Sequence, residues 1–184
     1  MAGKVCPVWV GYFLSCPVRK LFQNPRKILS PYIKEGMKVL DVGCAMGFFS
    51  LPLAQMVGSA GRVVCIDVQQ KMIESLNERA QKAGMFDRIE TRICEDNSLG
   101  LSDLKEEFDF VLASAVVHEV PDLSGFFQQL YRTLKSTGHL LVIEPKGRVS
   151  QKDFVRTIAI ASENGFEINS SPKISRSRAV LLKK

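Results

Sequence analysis

The segment VLDVGCAMGFFSLPLA, residues 39–54, carries the signal that decides the fold. Its apolar beginning predicts a buried strand over 37–42, and its later apolar part predicts a helix over 47–57. Gly43 and Gly47 lie between the two, where a residue without a Cβ lets the backbone turn sharply and approach a ligand closely. A helix that starts at such a turn points its free N–H groups at an anion. The segment therefore predicts the first strand–helix unit of an α/β sheet, with a ligand site where the strand ends.

The rest of the chain continues this alternation of short β-branched runs with amphipathic stretches, a pattern typical of a parallel α/β sheet. Further strands are predicted over 62–67, 89–94, 108–115, 139–144, 166–169 and 178–182, and helices over 69–83, around 126–134 and over 150–164. Residues 101–106 could add one helical turn. Because no repeat or linker divides the chain, a single domain is predicted over 1–184, with a helical cap over 1–35 and the core over 36–184.

Composition places the chain among ordinary soluble globular proteins, since 46% of its 184 residues are hydrophobic and 24% are charged. That balance argues against a disordered chain, and no apolar run reaches the roughly 18 residues that predict a membrane span. The five cysteines are irregularly spaced and form no C-x-x-C pair, so neither a disulfide framework nor a zinc site is predicted. Reduced thiols and a cytoplasmic location are expected, and no residue is assigned to a metal.

The net charge of +6 is distributed unevenly along the sequence. Residues 1–40 hold seven basic residues against one acidic residue, and residues 173–184 hold five against none. Residues 41–172 then hold 13 basic against 18 acidic residues, so this central body is not a polyanion-binding surface by charge. The basic ends could meet nucleic acid, an anionic membrane or an acidic substrate, but such ends are mostly solvated faces, and nucleic acid is not the expected partner.

Asp67 ends the second predicted strand, 24 residues after Gly43. A carboxylate at this place can accept hydrogen bonds from both hydroxyls of a ribose, which predicts a ligand that contains adenosine. The G-x-G-x-x-G dinucleotide fingerprint is absent, since Ala45 and Phe48 occupy its second and third glycine positions. The spacing present is D-x-G-x-x-x-G, and these residues alone leave NAD and other adenosine cofactors open.

Three sequence blocks in this order resemble the class I S-adenosylmethionine-dependent methyltransferases. They are VLDVGCAMGFFSLPLA (39–54), VVCIDVQQKMIESL (63–76) and FDFVLASAVVHEVPD (108–122), and the similarity continues through LKSTGHLLVIEPKG (134–147). Within the family the chain is most similar to the ubiquinone/menaquinone-biosynthesis type of small-molecule methyltransferase. The resemblance implies a Rossmann-like doubly wound sheet, mostly parallel with an antiparallel last strand, in the order 3-2-1-4-5-7-6. It also implies S-adenosylmethionine as methyl donor and S-adenosylhomocysteine as product.

The resemblance further assigns cofactor contacts to particular positions. The methionine end would lie against the first turn, which consists here of Asp41, Gly43, Cys44, Ala45 and Gly47. The other implied contacts are Asp67 at the ribose, Val68 and Gln69 beside the adenine, Glu95 or Asp96 at the adenine amino group, and Ser114 and Ala115 on the methionine side. The family usually has glycine where this chain has Ala45. A Cβ there is tolerated if φ is negative but costs ~1–2 kcal/mol if the backbone is left-handed.

His118 and Glu119, after the fourth predicted strand, are the candidate catalytic residues. A base is useful if the acceptor is a hydroxyl, a carbon acid or a protonated amine, although a histidine in this loop could also simply cap or hydrogen-bond. The acceptor pocket is expected from residues 1–35 and from the loops 115–122 and 145–152.

Aromatic residues crowd the first part of the chain and favour a small lipophilic or aromatic acceptor under an apolar lid. They include Trp9, Tyr12, Phe13 and Phe22. A basic, apolar N-terminus would also fit peripheral contact with an anionic membrane. The oligomeric state is not indicated.

Two other classes of function stay open on the sequence. One is methylation of RNA or protein, in which Arg176 and Arg178 on one strand face, together with the basic N-terminus, form a track for a polyanion. The other is a non-catalytic cofactor-binding module that regulates a partner. A nicotinamide-dependent dehydrogenase is the least favoured interpretation, because the dinucleotide fingerprint is absent.

Overall fold

The structure is a computed structural model that describes residues 23–95 and 97–184. The described chain forms two compact units, divided between Cys94 and Glu95. The first unit contains α1 (Pro25–Leu29), β1 (Lys38–Val42), α2 (Ser50–Met56), β2 (Arg62–Asp67), α3 (Gln70–Lys82) and β3 (Ile89–Ile93). Its strands are parallel and lie in the order β3-β2-β1.

Strands β1 and β2 form the buried centre of the first unit. Val39 pairs with Val63 and Leu40 with Val64, and all four side chains are fully buried. Continuous apolar runs of this kind are typical of parallel strands that are covered on both faces. The apolar side of α3 is buried as well, through Met72, Ile73, Leu76 and Ala80. Both strands therefore end at one edge of the sheet with Asp41 near the end of β1 and Asp67 at the end of β2.

Helix α2 begins later than predicted. It starts at Ser50, whereas the sequence predicted a helix from 47. Gly47 has a φ of 84°, and this left-handed conformation is incompatible with a right-handed helix. Residues 47–49 form a turn instead. The apolar pattern predicted the helix but not the extra turn before it.

The second unit contains β4 (Phe108–Ser114), α4 (Leu123–Thr133), β5 (Leu134–Pro145), α5 (Gln151–Glu163), β6 (Glu167–Ser170) and β7 (Ser177–Lys183). Strands β4 and β5 are parallel, while β7 runs antiparallel to both β5 and β6. Residues 101–106 form turns rather than the helical turn considered from the sequence. The predicted strand order 3-2-1-4-5-7-6, with an antiparallel last strand, is confirmed.

Strand β5 is longer than its apolar run, which predicted a strand over 139–144 only. It begins at Leu134, so the predicted helix that included this residue was wrong at its end. Leu134 pairs with Phe108, and the register then shifts so that His139 pairs with Phe110. This irregularity places additional β5 residues opposite a short stretch of β4, as a bulge does.

Helix α1 is the described part of the predicted N-terminal cap. Asn24 caps it by accepting hydrogen bonds from the N–H groups of Arg26 and Lys27. Most of the cap lies outside the described residues, so the cap over 1–35 and the single domain stay predictions. Among the residues that the structure describes, no helix is long and apolar enough to cross a membrane.

Candidate functional site

Asp67 is the polar centre of the site in the first unit. Its Oδ2 accepts a hydrogen bond from the Ala45 N–H at 2.9 Å, and its Oδ1 accepts one from the Gln69 N–H at 2.9 Å. The residue is only 7% exposed, and this burial raises the pKa of its carboxyl. The Val68 N–H also favours the ionised form of this carboxylate. Because an ionised carboxylate offers about four acceptor positions, Asp67 keeps acceptor capacity for ligand hydroxyls.

The loop after β1 has three left-handed residues, Gly43 (φ 68°), Ala45 (φ 46°) and Gly47 (φ 84°). Of the two backbone conformations considered from the sequence, Ala45 therefore adopts the left-handed one, which is the more costly. The hydrogen bond from its N–H to Asp67 holds it there. A Cβ at Gly47 would overlap Leu76 Cδ1 on α3, so this glycine allows the helix to pack closely against the loop.

Arg79 is a loop-positioning residue that the sequence analysis missed. Its guanidinium, on α3, donates a hydrogen bond to the carbonyl oxygen of Met46. Burial lowers the pKa of this guanidinium. In the sequence Arg79 is one charged residue on the polar side of an amphipathic helix, so no local pattern distinguishes it.

Asp41 is buried beside the same loop. Ser50 Oγ donates a hydrogen bond to its Oδ2 at 2.6 Å. Burial raises the pKa of Asp41 to about 7, and repulsion from Asp67 acts in the same direction. Burial likewise raises the pKa of the Cys44 thiol well above its usual range, so Cys44 is a neutral, buried side chain.

The first unit therefore collects carboxylates where its strands end. Within the described residues neither Asp41 nor Asp67 forms an ion pair, and no group of three or more His, Cys, Asp or Glu could hold a metal ion. Such a place suits a ligand with hydroxyl groups and positive charge, because the ligand would supply the missing donors and counter-charge. S-adenosylmethionine has both features, so these residues fit it.

The remaining predicted cofactor residues of the first unit follow Asp67 directly. Val68 is 37% exposed, which leaves apolar surface for a ring, and the Gln69 N–H is bound to Asp67. Glu95, which begins the second unit, is exposed and pairs through its backbone with Ser98. Asp96 lies outside the described residues, so the choice between Glu95 and Asp96 stays open.

In the second unit, Ser114 and Ala115 lie where β4 ends. Ala115 has a φ of 57°, so the chain leaves the sheet through a second left-handed alanine. Its N–H donates to the carbonyl oxygen of Ile143 on β5 at 2.7 Å. This contact fixes the start of the loop that carries His118.

His118 and Glu119 lie in a short 3-10 segment, Val117–Glu119. The Nδ1 atom of His118 is 2.6 Å from Oε2 of Glu144, at the end of β5. The other carboxylate oxygen, Oε1, accepts a hydrogen bond from the Val117 N–H at 2.9 Å. Glu144 is 1% exposed, and its hydrogen bond raises the pKa of His118 above its ordinary value.

Glu144 is the functional candidate that the sequence analysis did not single out. The sequence feature that could have identified it is an acidic residue directly after the apolar run over 140–143, which forms the buried part of β5. Glu119, which the sequence did single out, has Oε1 at 3.8 Å from His118 Nε2, beyond hydrogen-bond distance. The structure thus brings His118 together with Glu144 more closely than with its sequence neighbour.

Two further expectations concern the surface. Arg176 precedes β7 and has a φ of 56°, whereas Arg178 lies within the strand and is half-buried. The two arginines therefore do not share one strand face, as the sequence analysis had considered, and the basic N-terminus of the same track lies outside the described residues. The predicted aromatic lid, formed by Trp9, Tyr12, Phe13 and Phe22, lies outside the described residues.

Comparison with known proteins gives consistent matches. The profile of a family described as a methyltransferase domain matches residues 33–175. The chain is 31% identical over 112 residues to a ubiquinone/menaquinone biosynthesis C-methyltransferase of Haemophilus ducreyi, covering 61% of this chain and 42% of that protein. It is 37% identical over 108 residues to a mitochondrial ubiquinone biosynthesis O-methyltransferase of Bos taurus, covering 58% and 28%. The chain thus spans less than half the length of either relative.

A solved structure matches over nearly the whole length. It is the crystal structure of an S-adenosylmethionine-dependent methyltransferase from Aquifex aeolicus, with a TM-score of 0.86 and 26% identity. The match covers 97% of this chain and 98% of that one.

Proposed function

The chain belongs to the methyltransferase-domain family, and from that premise we propose that it transfers a methyl group from S-adenosylmethionine to a small apolar or aromatic acceptor. The observation that carries the proposal is the buried Asp67 carboxylate, which two backbone N–H groups hold at the end of β2. Its remaining lone pairs can accept the two hydroxyls of a ribose.

We assign the donor contacts as the resemblance implies them. The methionine end would lie against the loop after β1, through Asp41, Gly43, Cys44, Ala45 and Gly47, and against Ser114 and Ala115. The ribose would bind Asp67. The adenine would lie against Val68, Gln69 and either Glu95 or Asp96. The bound donor supplies an electrophilic methyl group on a positively charged sulfur. The chain's residues have to bind and orient the reactants and exclude water. The Asp67 carboxylate, when ionised, favours this cationic donor electrostatically.

The acceptor proposal rests on the relatives. The names of both curated relatives place them in ubiquinone or menaquinone biosynthesis, one as a C- and one as an O-methyltransferase. A quinone-type ring precursor is therefore the acceptor class we propose, with His118 as the candidate base and Glu119 beside it. Peripheral contact of the basic N-terminal part with an anionic membrane would suit such a lipophilic acceptor.

Calorimetric titration with S-adenosylhomocysteine tests the donor site. Asp67→Ala should weaken binding by about 1.5–3 kcal/mol, or about 10- to 150-fold, because a charged acceptor of two hydroxyls is lost. Asp87→Ala is the matched control, since Asp87 is an exposed aspartate of the same unit, and its affinity should equal that of the wild type.

A 2′-deoxy analogue of the same ligand separates the ribose contact from any loosening of the loop. The wild type should prefer the ribose form, and Asp67→Ala should bind both forms equally. An unchanged affinity of Asp67→Ala, or a ribose preference that persists in it, would contradict the assignment.

A further inference from the structure

Glu144 and His118 form a hydrogen-bonded pair that defines the protonation pattern of the imidazole. A carboxylate can only accept hydrogen bonds, and Glu144 Oε1 already accepts from the Val117 N–H. The 2.6 Å contact of Oε2 with Nδ1 therefore requires the proton on Nδ1. In the neutral ring Nε2 then carries the lone pair.

The Nε2 atom of His118 has no hydrogen-bond partner among residues 23–95 and 97–184; Glu119 Oε1, at 3.8 Å, is too distant. The His118 side chain is 20% exposed, whereas that of Glu144 is 2% exposed. At the buried end of the pair, each Glu144 oxygen accepts a hydrogen bond, and at the accessible end Nε2 of the neutral ring has an unused lone pair. This is the arrangement that a general base needs.

The charged groups around the pair come from several segments. Glu144 and Glu119 both favour the protonated imidazole, while Arg148 disfavours it. Arg178 lies directly opposite Glu144 in the register of β5 and β7. A buried carboxylate at hydrogen-bond distance nevertheless has the largest effect, because the surrounding dielectric is low.

We propose that Glu144 is a positioning residue that holds His118 as a base through Nε2, and that the acceptor therefore presents a phenolic or enolic O–H. This inference rests on the proposed function. The hydroxyl proton passes to Nε2, and an oxygen electron pair forms the bond to the methyl carbon. The carbon–sulfur bond breaks with its electron pair remaining on sulfur. The imidazolium that forms is neutralised by the Glu144 carboxylate.

Among the acceptors for which a base is useful, a phenolic O–H is the one that this pair is proposed to serve. A phenol has a pKa of about 10 and keeps its proton at neutral pH, so it gains from a base beside it. An aryl thiol is more acidic than the corresponding phenol, so it loses its proton readily without a neighbouring base. We therefore expect loss of the Glu144 carboxylate to lower the rate of methyl transfer to oxygen acceptors and to change the rate for sulfur acceptors little.

The chain contains only two histidines, His118 and His139, which makes a direct test practical. In a His139→Asn background, nitrogen-15 NMR observes the His118 ring alone. We expect Nε2 to show the signature of an unprotonated ring nitrogen at alkaline pH, and a titration midpoint above the ordinary value for histidine. A proton on Nε2 in the neutral ring would overturn the proposal, and this measurement requires no change at Glu144.

Glu144→Gln then tests the role of the carboxylate. The His118 midpoint should fall, and the preference for the Nδ1–H form should weaken, because a neutral amide replaces the charged acceptor. The kcat for a catechol acceptor should fall about 10- to 100-fold, by analogy with the loss of a partner that orients a metal-ligating histidine. The kcat for the matched aryl thiol should change less than about threefold, and the affinity for S-adenosylhomocysteine should stay the same. Equal losses for both acceptors would overturn the proposal.

Glu119→Gln is the comparison variant. It removes a carboxylate that makes no hydrogen bond to His118, so the tautomer should not change. The two proposals fail separately. Absence of S-adenosylhomocysteine binding would contradict the proposed function, whereas binding combined with methylation of the thiol and not of the catechol would overturn the acceptor class alone.

Discussion

Ala45 has a backbone conformation that favours glycine, in a loop where Gly43 and Gly47 share it. An L-residue in the left-handed region costs ~1–2 kcal/mol, and the protein retains alanine there nonetheless. Its N–H is one of the two that hold Asp67, so the strained residue contributes directly to the candidate ribose contact. Strain at such a position is typical of functional loops.

Ala45→Gly should therefore stabilise the protein. Relief of the left-handed strain is partly offset by the greater freedom of glycine in the unfolded chain, so the free energy of unfolding should rise by about 0.5–1 kcal/mol. Urea unfolding measures this change in the free energy of unfolding. Ala83→Gly is the matched control, because Ala83 has a φ of −89° and there glycine brings only the entropic cost. Stability that falls equally in both variants would show that Ala45 is not strained.

At the scale of elements, the contact of α3 with the loop depends on a single missing Cβ. A Cβ at Gly47 would overlap Leu76, and the φ of 84° is unfavourable for alanine as well. Gly84 has a φ of 64° but nothing within 4 Å of the same position. An alanine at Gly84 would carry only the conformational cost, whereas an alanine at Gly47 would carry that cost and the cost of overpacking.

Gly47→Ala should lower the free energy of unfolding by about 1–3 kcal/mol more than Gly84→Ala does, since overpacking adds to a similar conformational cost. Gly47→Ala should also weaken S-adenosylhomocysteine binding, and Gly84→Ala should not. Chemical denaturation and calorimetry on both variants measure the two effects. Equal destabilisation by the two substitutions would mean that α3 does not pack against the loop as described.

The elements differ in how well the sequence predicted them. Strand β2 was predicted at its observed bounds, because its apolar run is continuous and ends at a charged residue. The early start of β5 could not be predicted, since residues 134–138 carry no strand pattern and pair with β4 only through a register shift. Glu144 escaped notice for a similar reason: its partner His118 is 26 residues away, and only the β4–β5 pairing brings them together.

At the scale of the whole molecule, the buried acidic groups determine how stability depends on pH. Asp41 has a folded-state pKa of about 7 against an ordinary value of 3.8. Between these values the folded chain keeps a proton that the unfolded chain has released, so stability falls as the pH rises. The raised pKa of Asp67 acts in the same direction. The contribution of the His118–Glu144 pair is full below the ordinary histidine value of 6.5 and is lost as the pH rises through the raised His118 pKa.

We therefore expect the free energy of unfolding without ligand to decrease between about pH 4 and pH 7, and Asp41→Asn to flatten this slope. The Asn side chain stays neutral and can still accept the hydrogen bond from Ser50 Oγ. Urea unfolding at a series of pH values measures the slope, with Asp153→Asn as a control at an exposed carboxyl. An identical slope in wild type and Asp41→Asn would show that Asp41 is ionised in the folded protein throughout this range.

The most direct measurement is a crystal structure of the protein with S-adenosylhomocysteine. We expect both carboxylate oxygens of Asp67 to lie about 2.6–3.2 Å from the two ribose hydroxyls, with the loop after β1 against the amino-acid end of the ligand. A ligand that leaves this carboxylate without a hydroxyl partner, or that does not bind at saturating concentration, would contradict this expectation.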